Sequence, residues 1–274
     1  MILEVRQVTA GGSNTFEVAN NGVPCYRGSA SWYPMGVDMT NKVILTDLNG
    51  NMVFQTQYSL IDNVAESSIP FKYLFTGEQK FSMYQVLDPS GSAVGSFFDV
   101  QMAFLDVRLC ISFGNRLIFG YRRSMDYREV VSFYENDVQV GQLTRSSKVT
   151  DHLDVYYVHF LPQYDNLLPL ISMFTVYYDF LFHNNSGQYY KGTMLEKQYT
   201  YDKNNDKYNE NFIRANFGEA EHARVEAFIN RKMEMKVGNL TMKQFWIIFA
   251  VGWGVALLLA GVITFFVLMM AMNG

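Results

Sequence analysis

Apolar and polar residues alternate along short stretches of the first 160 residues, and turn-forming residues separate these stretches. Gln55 and Gln57 in 52–58, and Gln139 between Val138 and Val140, alternate with less polar residues, which predicts strands with one buried and one solvated face. Asn49-Gly50 is the strongest turn signal, because both residues tolerate positive φ. About twelve strands are predicted, at 3–8, 15–19, 23–27, 42–47, 52–58, 81–87, 93–98, 107–113, 117–122, 129–134, 138–143 and 155–160.

Short strands of even spacing with turns between them are typical of a β sandwich or a β barrel. The strand pattern stops at about residue 160. We therefore expect a mainly β domain of roughly 184 residues, with a change of structure near its end.

Residues 166–183 are predicted to form a helix that is apolar on nearly all sides. Asp165 or Asn166 is expected to cap its start. A helix without a polar face must be surrounded by protein or by lipid. Asp179 would be costly in lipid, which favours a helix enclosed by strands over a membrane hairpin formed with 245–272.

Residues 245–272 contain no charged side chain. About 20 apolar residues cross a bilayer as a helix, so this segment is long enough to span one. Basic residues precede the segment and none follows it, which places 1–244 in the cytosol. We expect a single-pass protein with a C-terminal anchor, in a bacterial cell membrane.

One face of the predicted membrane helix carries small residues four positions apart: Gly252, Ala256, Ala260 and Thr264. Small residues at this spacing let two membrane helices approach closely. The row predicts association with a second copy or with another membrane protein. Frequent Gly and Ala in membrane helices are the alternative explanation.

Residues 185–244 separate the β domain from the predicted span and form a polar extension. Charged residues and alanines alternate from 219 to 236, which predicts a juxtamembrane helix. Gly238-Asn239 interrupts the pattern before the apolar segment. The extension is interpreted as a stalk or as a strap on the β domain.

The order of several phrases resembles the tubby C-terminal, LURP-one and phospholipid scramblase superfamily. The phrases are Lys-Val-Ile-Leu-Thr-Asp-Leu-Asn-Gly-Asn-Met-Val-Phe at 42–54, Met-Tyr-Gln-Val-Leu-Asp-Pro-Ser-Gly-Ser-Ala-Val-Gly at 83–95, Gln-Val-Gly-Gln-Leu at 139–143, and the apolar helix with Tyr178-Asp179. The resemblance covers 1–184. It implies a closed barrel of about twelve antiparallel strands around the hydrophobic helix.

The sequence contains no complete catalytic or metal-binding pattern. Asp202, Asn204 and Asp206 begin like a calcium loop, but Lys207 replaces the required Gly and Ile213 the required Glu. The four histidines lie apart from one another. We therefore expect no enzyme activity, no cofactor and no metal, and the net charge of −4 gives no sign of nucleic-acid binding.

Six basic residues fall in three successive predicted strands and their turns, and neighbouring strands can gather them on one surface. Anionic lipid attracts such a surface, and tubby-like domains bind phosphoinositide headgroups with basic residues. Interleaved acids favour a mixed solvated face instead. The candidates for headgroup binding are Arg116, Arg122, Arg123, Arg128, Arg145 and Lys148.

Together these patterns predict a membrane-anchored binding or scaffold domain that faces the cytosol and recognises membrane lipids or a protein partner. Two alternatives stay open. One is a scramblase-like protein that moves lipid, against which the sequence offers no acidic calcium segment and no cysteine cluster. The other is an accessory subunit of a membrane complex.

Overall fold

The computed structural model describes residues 1–9, 13–31, 42–103, 106–125, 128–146, 153–183 and 202–230, together with 236–237, 240–241, 247, 249 and 251. The chain divides into two compact units. The first holds 1–189 and 196–231, and the second holds 190–195 and 232–274. In the second unit, β13 (Lys236–Val237) pairs antiparallel with β14 (Leu240–Thr241).

Twelve antiparallel strands form a closed barrel, in which each strand pairs with its neighbours in the sequence and β1 closes the ring on β12. The prediction of a mainly β fold with twelve strands is confirmed. The strands are β1 Ile2–Thr9, β2 Ser13–Asn20, β3 Val23–Ser31, β4 Lys42–Asp47, β5 Met52–Tyr58, β6 Gln79–Leu87, β7 Ala93–Ala103, β8 Asp106–Phe113, β9 Arg116–Met125, β10 Arg128–Glu135, β11 Val138–Ser146 and β12 Val155–Phe160.

Tight turns explain why consecutive strands pair. Asn21 and Gly22 connect β2 to β3 with φ of 50° and 80°, and Asn136 and Asp137 connect β10 to β11 with φ of 49° and 61°. Two-residue turns with positive φ match the twist of antiparallel strands. At this end of the barrel every connection between paired strands has two to five residues.

The predicted helix lies inside the barrel, as expected. A 3-10 turn at Pro162–Leu167 leads into α3 (Leu168–Phe182), which is buried from Leu170 to Phe180. The prediction of a side-chain cap at its start is wrong, since Leu167 holds the cap position and no side chain caps the helix. The preceding turn runs directly into α3, and Asp165 instead contacts the N-terminal ammonium group at 3.1 Å.

Close packing fixes α3 against the strands. The Phe174 ring meets the rings of Phe97 and Phe133 edge-on, at centroid distances of 5.3 and 5.6 Å. A Cβ atom added to Gly28 would lie 2.6 Å from Val176 Cγ2, so β3 needs glycine where α3 passes. The interior is filled by side chains of the helix and the strands.

The other end of the barrel, where α3 ends, carries the longest connection. Residues 59–78 join β5 to β6 and contain two helices that the pattern analysis did not predict, α1 (Leu60–Ser67) and α2 (Tyr73–Thr76). The predicted helix at 219–236 is observed in part, as α5 (Glu219–Ile229), which follows the short α4 (Phe212–Phe217). Its predicted last residue, Lys236, belongs to β13 instead. Residues 231–235 lie outside the described part of the chain.

Within the described residues, no helix is long and apolar enough to cross a membrane. The predicted span at 245–272 lies largely outside them, and only positions 247, 249 and 251 are described, all three as helical. The row of Gly252, Ala256, Ala260 and Thr264 also lies outside the described residues.

Candidate interaction surface

The β5–β6 connection is fastened to the barrel at a bulge in β6. Pairing with β7 is interrupted between Phe81 and Tyr84, and Ser82 has a φ of 51°. The Asn63 amide group donates to the Met83 carbonyl at 3.1 Å, and the Asn63 oxygen accepts the Met83 N–H at 3.0 Å. Asn63 therefore accepts the Met83 N–H at the bulge, and it shares the Met83 carbonyl with the Ser59 N–H.

A second group of contacts fastens the end of α1 and the start of β6. The Gln79 amide donates to the carbonyls of Glu66 (3.0 Å) and Ile69 (3.2 Å). The Glu66 carboxylate accepts the Lys72 ammonium at 2.8 Å and the Lys80 N–H at 3.3 Å. The polar side chains that define this connection are thus directed at the protein itself.

The apolar side chains of the same connection are directed away from the protein. Ile61 is 83% exposed and Phe75 is 82% exposed, whereas Tyr73 is the one buried member of α1 and α2. This distribution reverses the usual amphipathic helix, whose apolar side faces the core. We define the α1–α2 surface as the exposed Leu60, Ile61, Val64, Ile69, Phe71, Leu74 and Phe75.

The barrel interior contains a charged cluster around Glu129, which is fully buried. The Glu129 carboxylate accepts hydrogen bonds from Arg122 Nε (2.7 Å) and Tyr178 Oη (2.5 Å), and His183 Nε2 lies 2.8 Å away. Burial raises the pKa of Glu129, but the contacts with His183, Arg122 and Tyr178 lower it by more. Glu129 is therefore ionised at neutral pH and attaches the end of α3 to β9 and β10.

Two further hydrogen-bonded pairs are buried beside this cluster. Arg145 Nε donates to Asp154 Oδ1 at 2.7 Å, and Tyr156 Oη donates to Asp179 Oδ1 at 2.7 Å. Burial and the negative charge of Asp154 raise the pKa of Asp179 to about 7. The bond between Tyr156 and Asp179 joins β12 to α3 and so helps to hold the helix in place.

The interior offers little room for a ligand, because α3 occupies the barrel axis with its side chains in contact with the strands. No group of three or more His, Cys, Asp or Glu that could hold a metal occurs in the described ranges. The outer surface is therefore the part of the barrel that is available for binding.

The five headgroup candidates that the structure describes do not share one surface. Arg122 and Arg145 are directed into the barrel, where both contact acids. Arg128 forms a two-fold ion pair with Glu226 of α5, at 2.6 and 2.9 Å.

The remaining candidates also lie apart. Arg123 stacks on the Tyr208 ring, and Arg116 lies over the Tyr164 ring near the opposite end of the barrel. Lys148 lies outside the described residues. Headgroup binding by these cations stays a prediction. Each of the five described candidates contacts an acidic or aromatic side chain of the same chain.

Residues 202–230 pack along the outside of the barrel as a strap. Val225 and Ile229 of α5 join Phe212 and Ile213 of α4 in a small core with Tyr157 of β12. His159 is fully buried beneath this strap, and its Nε2 lies 2.7 Å from Glu221 Oε1. Burial lowers the pKa of His159 in spite of this partner.

Comparison with protein-family models, with curated proteins and with solved structures found no match to the chain.

Part of this site was readable from the sequence and part was not. Glu129, Val131 and Phe133 share one face of β10, so strand alternation places Glu129 and its arginine partners inside. The α1–α2 surface was missed because exposed and buried apolar residues give the same pattern. Its signal is indirect: Asn63 and Glu66 lie among the apolar residues of a long connection between two strands.

Proposed function

We propose that this protein is a membrane-anchored, non-enzymatic binding or scaffold domain of tubby-like fold that faces the cytosol. The observation that carries the proposal is the α1–α2 surface, which a rigid barrel holds outward with its apolar side chains exposed. Contiguous exposed apolar side chains on a soluble domain are typical of an interaction site.

The filled barrel supports binding at the surface over binding in a cavity. Small-molecule sites are concave and enclose most of the ligand, whereas α3 takes up the space that a barrel of this size would offer. Binding is also favoured over lipid transport, because α3 fills the barrel interior through which a headgroup would otherwise pass.

Membrane attachment rests on the sequence of 245–272. Its 28 uncharged residues exceed the length that a bilayer requires. The small residues Gly252, Ala256, Ala260 and Thr264 give this segment a face for a second helix. Replacing Ala256 with Ile is expected to remove a dimer that is stable in detergent.

Two measurements on the full chain test the proposal. The protein is expected to stay in the membrane fraction after alkaline carbonate extraction, and a variant with three lysines within 245–272 is expected to be released. Protease added to the cytosolic side of sealed vesicles is expected to digest the barrel. Release of the unaltered chain by carbonate, or protection of the barrel from this protease, contradicts the proposal.

A further inference from the structure

The α1–α2 surface offers few free hydrogen-bonding groups that would orient a protein partner. The serine and threonine hydroxyl groups of the connection donate within it: Ser67 to the Val64 carbonyl, Ser68 to the Ala65 carbonyl, and Thr76 to the Glu78 carbonyl. The Ser59 hydroxyl donates to Asp62. A protein interface commonly includes about one hydrogen bond for every 100–200 Å², whereas the most exposed large side chains here, Ile61 and Phe75, are apolar.

Charge does not direct the surface toward anionic lipid either. Residues 59–80 contain three acids and two lysines, a net charge of −1. Lys72 is paired with Glu66, and Lys80 lies near Glu78 and over the Phe98 ring. An occupant of this surface is therefore apolar, makes no directional hydrogen bonds and needs no negative charge.

The chain itself supplies such an occupant through its proposed anchor. Asn230 ends the strap and the uncharged segment begins at residue 245, so the fourteen residues between them limit their separation to roughly 50 Å. A second contact with the same bilayer is then intramolecular and occurs at a high effective concentration. Even a modest apolar surface binds under these conditions.

We infer that the α1–α2 surface inserts into the interfacial region of the bilayer that holds the C-terminal segment. This inference rests on the proposed membrane anchor. The bulged β6 and its contacts with Asn63 and Glu66 keep Ile61 and Phe75 outward, so these side chains enter the boundary between headgroups and acyl chains. The barrel then has two attachments to the membrane, one covalent through the chain and one through this surface.

The test uses the full chain in phosphatidylcholine vesicles, with Cys25→Ser and Cys110→Ala to remove the native thiols. An environment-sensitive fluorophore is attached to Phe75→Cys or, separately, to Ile61→Cys. Both sites are more than 80% exposed, so neither label disturbs the core. Val138→Cys, which is exposed in the turn region at the opposite end of the barrel, is the matched control.

Labels at 61 and 75 are expected to emit at shorter wavelength and to be quenched by nitroxide groups on the acyl chains. Aqueous iodide is expected to quench only the label at 138. Anionic lipid and high salt should leave these results unchanged. Labels at 61 and 75 that iodide quenches as strongly as the label at 138 overturn the inference, provided that the chain resists carbonate extraction.

Two further outcomes are decisive. Labels that are shielded from both quenchers indicate cover by protein, either another chain or residues 245–272, and overturn insertion. Release of the chain by carbonate shows that the proposed anchor itself has failed, which is a different result from a surface that stays in water beside an anchored chain.

Discussion

Asn63 accepts the Met83 N–H at 3.0 Å and donates to the Met83 carbonyl at 3.1 Å, a carbonyl that also accepts the Ser59 N–H at 2.9 Å. This side chain, together with the contacts of Gln79 and Glu66, joins the 20-residue connection to the strand that it precedes. The orientation of the α1–α2 surface therefore depends on polar contacts, since no residue of α1 is buried.

Replacing Asn63 with Leu is expected to free the connection while the barrel stays folded. The change leaves the Met83 N–H without the Asn63 acceptor, while the Met83 carbonyl keeps the Ser59 N–H at 2.9 Å. An unsatisfied group of this kind costs about 1–3 kcal/mol. Hydrogen exchange should accelerate in 59–79 alone. Asn51→Ala, which removes an amide bonded to Asp47 in a turn at the other end, should leave exchange in 59–79 unchanged. Unaltered exchange in Asn63→Leu contradicts the proposed fastening.

Gly28 and Val176 are in close contact, so substitutions at these two positions should be energetically coupled. Gly28→Val is expected to destabilise the protein by about 1–3 kcal/mol, because it overfills the space between β3 and α3. Val176→Ala should recover part of this loss in the double variant. Denaturant unfolding of the two single variants and the double variant measures the coupling. Strictly additive effects would show that α3 does not pass Gly28 at this distance.

Asp179 should make stability depend on pH. Its pKa is about 7 in the folded chain against an ordinary value of 3.8, so the folded state binds the proton more tightly. Stability from this group is present at low pH and is lost as the pH rises from about 4 through 7. Asp179→Asn cannot ionise, so its melting temperature relative to the unaltered protein should increase between pH 5 and pH 8.

Asp137→Asn is the control for this experiment, since it removes the same formal charge from an exposed turn. Its melting temperature relative to the unaltered protein should be the same at both pH values. An Asp179→Asn difference that is also constant with pH contradicts the burial of an ionisable carboxyl group at the end of α3.

The strap should loosen in acid. Burial lowers the pKa of His159 from 6.5, so the unfolded chain binds this proton more tightly and stability falls as the pH drops below about 6.5. The contacts of Glu221 with His159 and Arg224 outweigh its burial and lower its pKa to about 2, so its contribution is lost only in stronger acid. Amides of α4 and α5 should lose protection between pH 7.5 and pH 5, after correction for intrinsic exchange.

His159→Gln tests the cause of this effect, because glutamine keeps a hydrogen-bonding group beside Glu221 but does not titrate. The difference in protection of α4 and α5 between the two pH values should be smaller in this variant. An equal loss of protection in the variant and in the unaltered chain would assign the pH dependence to another group.

The fold was largely predictable, because strand alternation and turn chemistry are local properties. All twelve strands were found from such signals, and the uniformly apolar helix, with Asp179 near its end, favoured an enclosing sheet over lipid. The arginines show a local signal that the prediction of one headgroup surface did not apply. Arg122 and Arg123 are adjacent in β9, so strand alternation places one inside the barrel and the other outside.

The α1–α2 surface was beyond prediction for a different reason. The spacing of Leu60, Ile61 and Val64 fits a helix with an apolar side, and such a side ordinarily faces the core. Its outward direction follows from tertiary hydrogen bonds of Asn63 and Gln79 to groups distant in the sequence. A local pattern contains no information about these partners.

Photo-crosslinking from a lipid acyl chain tests most directly whether the protein contacts the bilayer at two places. The full chain is reconstituted with a phosphatidylcholine that carries a photoreactive group in one acyl chain, and the adducts are mapped by mass spectrometry. Adducts are predicted in 60–76 and in 245–272, with none in the turns at 21–22, 49–50 or 136–137. Adducts confined to 245–272 contradict the second contact, and an absence of adducts from both segments contradicts the account as a whole.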